Sequence, residues 1–273
     1  HEYIPIRTLG SGSFGSVLLV QRGREQLAVK TAHDPAYAPF IQREFEALLL
    51  CRHPHIVKAV VFIDAFPRRG SDPCAAALVM EYCDRGSLSS YVEAQRWLGL
   101  DEIRFLFEQI NAVMAFLIGR RHIVHRDLKL ENFLLQSNPK AAGKTLPFCA
   151  TVKLADFGTA KVFGAARNMT FVGTPCYACP EVKRVTPYSE KCDLFSLGVM
   201  LYRMGVGKFP CTDTCPSAHP PALEFPFRLT DGVYREFRDL VTQLLTDEEH
   251  RIGWREYFAH PFFSTHKKPS VEL

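Results

Sequence analysis

His125-Arg126-Asp127-Leu128-Lys129-Leu130-Glu131-Asn132 is the stretch on which the reading of this chain turns. An acid, a cation and an amide stand at fixed offsets in one short loop. Asp127 can accept the proton of an attacking hydroxyl. Lys129 can neutralise charge that moves during a group transfer, and Asn132 can lend an oxygen to a divalent cation. By itself the set is no more than a polar loop, and its weight comes from what lies on either side. Downstream, Asp156-Phe157-Gly158 follows the apolar run Val152 to Ala155, which reads as a strand, and the Asp156 carboxylate offers a second oxygen to the same hard cation.

Upstream, Gly10-Ser11-Gly12-Ser13-Phe14-Gly15-Ser16-Val17 spells G-x-G-x-x-G-x-V. Glycines let the backbone approach phosphate oxygens, because no Cβ stands in the way. A lone match is often just a glycine-rich hairpin turn, and the dinucleotide version requires a helix after the third glycine. Ser16 to Val20 reads as a strand, and no second βαβ pattern follows, so a nucleotide-dependent dehydrogenase is excluded. Lys30 then ends the run Leu27-Ala28-Val29-Lys30. A lysine there is usually a charge leaving the core. Behind a phosphate loop it becomes an ammonium for the α- and β-phosphates. It needs an anionic partner, and Glu44 and Glu46 on the next helix are both candidates.

Hydrophobic patterning orders these motifs. Residues 3–9, 16–21, 27–30, 57–65 and 76–82 read as short strands, with one helix over 40–50 closed by Pro54. Helices dominate from Ser87, a plausible N-cap for 88–95. Apolar positions predict a long helix over 101–119 starting at Asp101, a second over 191–206 and a third over 231–246. Residues 137–147 read as an exposed loop. Strand-rich followed by helix-rich implies an α+β chain of two unequal lobes. The 273 residues carry a net charge of only +4 and no block of like charge, which suggests neither a nucleic-acid partner nor a membrane surface. No apolar run is long enough to span a bilayer. The chain opens on His1, as a piece of a longer protein would. Nine scattered cysteines read as free thiols in a reducing compartment, and the expectation is the cytoplasm, with the nucleus also open to it.

Glycine loop, Lys30, His125-Arg126-Asp127 and Asp156-Phe157-Gly158, in this order, resemble the eukaryotic protein kinases over nearly the whole chain. The resemblance implies a bilobal fold, with residues 1–83 as the small β-rich lobe and hinge, 84–264 as the larger helical lobe and 265–273 as a tail. It implies ATP and Mg2+ as cofactors and proteins as substrates. Gly10, Gly12, Phe14 and Gly15 match the phosphate loop, and Val17, Ala28 and Leu134 the walls around adenine. Met80 matches the gatekeeper, and Glu81 to Cys83 the adenine-bonding hinge. Glu44 is preferred over Glu46, because it stands at kinase spacing before His53-Pro54-His55-Ile56-Val57. Asn132 and Asp156 match the metal ligands. Leu48, His125 and Phe157 match a packed spine anchored on Asp193, and Glu181 matches the partner of Arg251. Every catalytic position is filled, which argues against a kinase-shaped scaffold without chemistry.

Lys129 beside Asp127, and Thr174 in Gly173-Thr174-Pro175, resemble the serine/threonine class, where that threonine bonds the catalytic aspartate and lysine. The ending Arg251-Ile252 through Phe258-Ala259-His260-Pro261-Phe262-Phe263 resembles the ULK-type, autophagy-initiating branch, with calmodulin-kinase-like and IKK-like branches as the alternatives. So does the long interval from Asn132 to Asp156, 156 − 132 = 24 residues. Cys179-Pro180-Glu181 replaces Ala-Pro-Glu, and Phe195 replaces a tryptophan, both tolerable swaps. Cys176 and Cys179, with Cys211 and Cys215, could in principle close on zinc, but that would block the docking segment. In the resembling family, Arg126 binds a phosphate on the activation segment. Thr170 stands where that phosphate sits, which implies an upstream activating kinase.

Overall fold

Alternation decides the first third. In β3 (Glu25–Ala32), Leu27 and Val29 point to one side of the sheet, and Ala28 and Lys30 to the other. The computed structural model describes residues 3–12, 15–66, 75–162, 174–184, 188–210, 221–229 and 231–264. Within these, β1 (Ile4–Gly12), β2 (Gly15–Arg22), β3, β4 (Ala59–Phe66) and β5 (Ala75–Glu81) form one antiparallel sheet in the order β1-β2-β3-β5-β4. Its outer face buries Val20, Leu27, Val29, Phe66, Ala77 and Val79 in a small core of their own. The inner face sends Ala28, Leu78 and Met80 into the main core.

Helix α1 (Ala38–Leu50) covers that inner face with Ile41, Glu44 and Leu48, spaced along one helical stripe. The chain turns into it through Pro35–Tyr37, where the Asp34 carboxylate accepts the Ala36 N–H at 2.7 Å. After α1, the loop through Pro54 is sewn to the second lobe. Val57 N–H donates to the Leu154 carbonyl at 2.9 Å, and Leu154 N–H donates to the His55 carbonyl at 2.8 Å.

The second lobe is helical. Ser87 caps α2 (Leu88–Gln95) by accepting the Ser90 N–H at 3.2 Å. Helix α3 (Leu100–Ala115) is capped one residue before it, where Glu102 takes the Gly99 N–H at 2.9 Å, and not at Asp101 as the sequence suggests. It also stops short of 119. Phe116–Arg121 loosens into a π turn, which ends at His122 in the left-handed region (φ 52). Strands β6 (Ile123–Val124) and β9 (Lys161–Val162) pair, as do β7 (Phe133–Ser137) and β8 (Ala150–Leu154). The connection from β7 to β8 opens with a turn at Pro139–Ala141 capped by Asn138.

Short α4 (Pro180–Lys183) leads to α5 (Lys191–Val206), whose residues from Cys192 on are buried apart from Arg203. Helix α6 (Arg235–Leu244) packs its Phe237, Leu240, Val241 and Leu244 stripe there. It is shorter than 231–246, because Gly232–Tyr234 tightens into a 3-10 turn before it. Close approach of α6 depends on two small residues. A Cβ at Gly198 would stand 2.7 Å from Leu244 Cβ, and one at Gly205 would overlap the Phe237 ring. Helix α7 (Trp254–Phe258) closes the lobe. Among the described residues, no helix is long and apolar enough to cross a membrane.

Candidate active site

Between the lobes lies a cleft lined by β2, β3, the segment after β5, the catalytic loop after β6, and the turn after β8. Strand register sets its roof, with Val17 opposite Lys30 and Ala28 opposite Met80. Leu134 on β7 packs against the main core from below. Gly10 pairs with Val17, and Gly12 with Gly15. Only glycine fits at position 15, because a Cβ there would overlap the Thr31 carbonyl. Phe14 lies outside the described residues.

Three charged groups meet in the cleft. Lys30 Nζ stands 2.6 Å from Glu44 Oε2 and 3.1 Å from Asp156 Oδ1. Of the two candidate partners, Glu44 is buried on the inner stripe of α1. Glu46 is exposed and takes a hydrogen bond from Gln42 at 3.1 Å. Burial alone would lower the Lys30 pKa, and the Glu44 and Asp156 carboxylates outweigh it and hold it above the ordinary lysine value. Burial pushes Glu44 up to about 7, against the pull of Lys30. Burial would also raise Asp156, yet Lys30 holds that carboxyl below the ordinary aspartate value. Asp156 has φ 61, a left-handed backbone that a non-glycine residue adopts only when its surroundings hold it there.

A second cluster forms on the catalytic loop. Asp127 accepts Lys129 Nζ at 2.7 Å, and both the N–H and the hydroxyl of Thr174 at 2.9 Å. Lys129 also donates to the Thr174 hydroxyl at 2.8 Å. Asn132 spends its amide nitrogen on the Asp127 carbonyl at 2.9 Å, so its own oxygen is the atom left to offer a cation. This donor set, one carboxylate and one amide oxygen beside a lysine, suits Mg2+ held together with phosphate oxygens. Among the described residues there is no cluster of three or more His, Cys, Asp or Glu that would form an all-protein metal site.

The loop is held from beneath. Buried Asp193 accepts His125 N–H at 2.8 Å and Arg126 N–H at 2.9 Å. Burial pushes its carboxyl up to about 6, against those two bonds. The His125 ring meets Phe157 edge-on at 5.0 Å, and Leu48 is buried in the same core. Arg126 Nε donates to the Thr159 carbonyl at 2.7 Å. Thr170 lies outside the described residues. Arg251 pairs with Glu181 at 2.5 and 3.2 Å, fixing the docking segment that begins at Thr174. Cys179 carries a buried thiol, while Cys211 and Cys215 lie outside the described residues.

One polar cluster beside the site gave no clear sign of itself in the sequence. Behind the hinge, Glu81 accepts Lys153 Nζ at 2.9 Å, the Lys58 N–H at 2.7 Å and Gln136 Nε2 at 3.2 Å. Its side chain therefore ties the hinge to both lobes, while Cys83 is buried beside it. The available signal was Lys153, a cation in an otherwise apolar strand.

Protein kinase domain sequences match residues 3–263 of this chain. The chain belongs to the protein kinase domain family. It is 32% identical to the SNF1-related protein kinase catalytic subunit alpha KIN12 of Arabidopsis thaliana, over 95% of this chain and 51% of that protein. It is 34% identical to human serine/threonine-protein kinase ULK1, over 97% of this chain and 26% of that protein. Human NUAK family SNF1-like kinase 2 is 33% identical over 77% of this chain and 32% of its own length. The chain thus spans between about a quarter and about half the length of these relatives. ULK1 stands beside SNF1-like kinases at near-equal identity, so the ULK-type resemblance is one of several branch likenesses.

Proposed function

We propose that this domain transfers the γ-phosphate of ATP to serine and threonine hydroxyls of protein substrates. The observation that carries the reading is the triangle of Asp127, Lys129 and Thr174, each within 2.9 Å of the others. It presents a carboxylate to an incoming hydroxyl and a cation beside it. Thr174 pins the carboxylate from two atoms, so Asp127 can orient the nucleophile and take its proton without first being reorganised. Lys129 stabilises the charge that moves, and Lys30, steadied by Glu44, holds the phosphates. Asn132 and Asp156 would hold magnesium, which when bound screens the phosphate oxygens. The phosphoryl-transfer transition state is loose, so positioning and charge supply most of the rate.

The test is transfer of label from radioactive magnesium-ATP to myelin basic protein, followed by phosphoamino-acid analysis. Labelled serine or threonine is expected, with Asp127→Asn losing orders of magnitude in kcat while still binding ATP. A wild-type protein that labels nothing, even after treatment with an activating kinase, would leave a scaffold.

Regulation follows the same reading. An upstream kinase would phosphorylate Thr170, and the added charge of about −2 would pair with Arg126 to order the segment. Full activity of Thr170→Ala, with mass spectrometry showing the segment unmodified, would sink this. The odd number of scattered cysteines supports a reducing compartment, the cytoplasm with access to the nucleus. Imaging of the tagged full-length protein in cells checks that placement.

A further inference from the structure

Away from the ATP cleft, an open pocket of about 400 Å³ lies at the ends of α2 and α5, lined by Glu93, Arg96, Trp97, Arg203, Val206, Gly207 and Lys208. Its size suits a side chain or small group. The walls depend on a close approach. Gly207 has φ +93, and a Cβ there would stand 2.6 Å from the Arg96 carbonyl. Leu98 N–H donates to the Met204 carbonyl at 2.8 Å, locking the two helix ends together.

Three cations face one carboxylate in this pocket. Part of that charge has a structural role. Arg203 donates to the Gly207 carbonyl, and neighbouring Arg228 donates to the Gly205 and Val206 carbonyls while lying 4.4 Å over the Trp97 ring. Those bonds satisfy the open end of α5. Each arginine spends only one guanidinium nitrogen on these bonds, which leaves Arg203, a residue of the pocket wall, with further N–H donors. Arg96 makes no ion pair among the described residues. Among the described residues Lys208 pairs with Glu224 at 3.3 Å, with both side chains largely in water, a contact an incoming anion can displace.

One route connects the pocket to the catalytic loop and another to the segment that begins at Thr174. Ser89 Oγ reaches Glu93 at 3.0 Å and Glu131 of the catalytic loop at 3.2 Å. On the other wall, Arg203 lies over the Phe209 ring at 5.5 Å, and Phe209 meets Tyr177 of the docking segment edge-on at 5.3 Å. The pocket wall and the segment that begins at Thr174 are therefore joined through the Phe209 ring.

We propose that this pocket binds an anionic side chain of the protein substrate, set at one fixed position relative to the phosphoacceptor. Arg96, Arg203 and Lys208 are then the specificity-determining residues. The proposal rests on the phosphoryl-transfer reading above. A carboxylate and a previously installed phosphate share the required chemistry.

The experiment is a positional-scanning peptide library labelled from magnesium-ATP, with Asp, Glu, phosphoserine, Lys and neutral residues at each flanking position. At one position an anion should be preferred over lysine by about tenfold in kcat/KM, equivalent to ~1.4 kcal/mol. Phosphoserine against Asp and Glu separates the two anion sources. The preference should shrink at high salt. The double variant Arg96→Glu/Lys208→Glu should erase or invert it. Each ratio is internal to one protein sample, so a poorly folding variant cannot imitate the result, and Lys208→Gln gives a milder second reading. Labelling without anionic selection, or selection that survives in the double variant, overturns this proposal alone. Labelling of no peptide overturns the phosphoryl-transfer reading and this one with it.

Discussion

Replacing Glu181 with alanine should destabilise the protein by about 3–5 kcal/mol, the usual cost of leaving a buried charge without its partner. Arg251 is 2% exposed and Glu181 4%, so no water replaces the lost carboxylate. The guanidinium keeps the carbonyls of Leu244 at 3.1 Å, Lys191 at 2.9 Å and Thr246 at 2.7 Å, and loses two charge-assisted bonds. A total stability near 5–15 kcal/mol makes that loss large, and Tm should fall by roughly 10 °C. Urea titration should show a lower midpoint at unchanged slope. The double variant Glu181→Leu/Arg251→Met removes both charges and should recover much of the loss. Acid adds a second signature. Burial would raise Glu181, yet Arg251 holds its pKa below the ordinary glutamate value of 4.5. Its contribution is therefore complete above about pH 4.5 and is lost as pH falls through the depressed folded value, a dependence that Glu181→Gln should lack. A single variant within about 1 kcal/mol of wild type, or a double variant that loses the sum of both singles, would refute the reasoning.

Glu44→Gln leaves Lys30 with Asp156 alone and should raise the KM for ATP and lower kcat, together by about a hundredfold in kcat/KM. With Glu44 pushed up to about 7, its protonation at lower pH breaks the ion pair. The wild-type profile should therefore fall on the acid side near pH 7, and the variant's should lack that limb. Gly205→Ala drives a methyl into the Phe237 ring and should cost about 1–3 kcal/mol by urea titration. Lys153→Met removes the hinge's buried cation, and the KM for ATP should rise several-fold with a smaller change in kcat; an unchanged KM would show that Glu81 needs no more than its remaining Lys58 and Gln136 bonds.

Residues whose role is local chemistry are legible in the amino-acid sequence. The order of the glycine loop, Lys30, Asp127 and Asp156 implies both lobes and the cleft, because each motif demands a particular strand or loop around it. Spacing also separates Glu44 from Glu46, and the helical stripe that buries one and exposes the other agrees with it. Helix ends are less legible. The Glu102 bond to Gly99 outranks Asp101 as a start signal, and nothing in Phe116–Arg121 announces a π turn. The hinge cluster and the basic pocket stay hidden for a different reason. Glu81 and Lys153 are 72 residues apart, and Arg96 and Arg203 come from helices that only tertiary packing brings together.

The two backbone bonds joining His55 and Val57 to Leu154 act as a pivot. Strand β8 belongs to the large lobe and carries Asp156 just beyond its end, so one side of that pivot is fixed to the turn that bears Asp156. On the other side α1 projects as a lever arm. Glu44 lies seven residues from the Cys51 cap, about 10 Å along the helix axis at 1.5 Å per residue. A rotation of roughly 10° about the pivot therefore moves its carboxylate by about 2 Å. That is comparable to the whole 2.6 Å reach of its contact with Lys30. A tilt of that size in α1 would be enough to make or break the ion pair between Glu44 and Lys30.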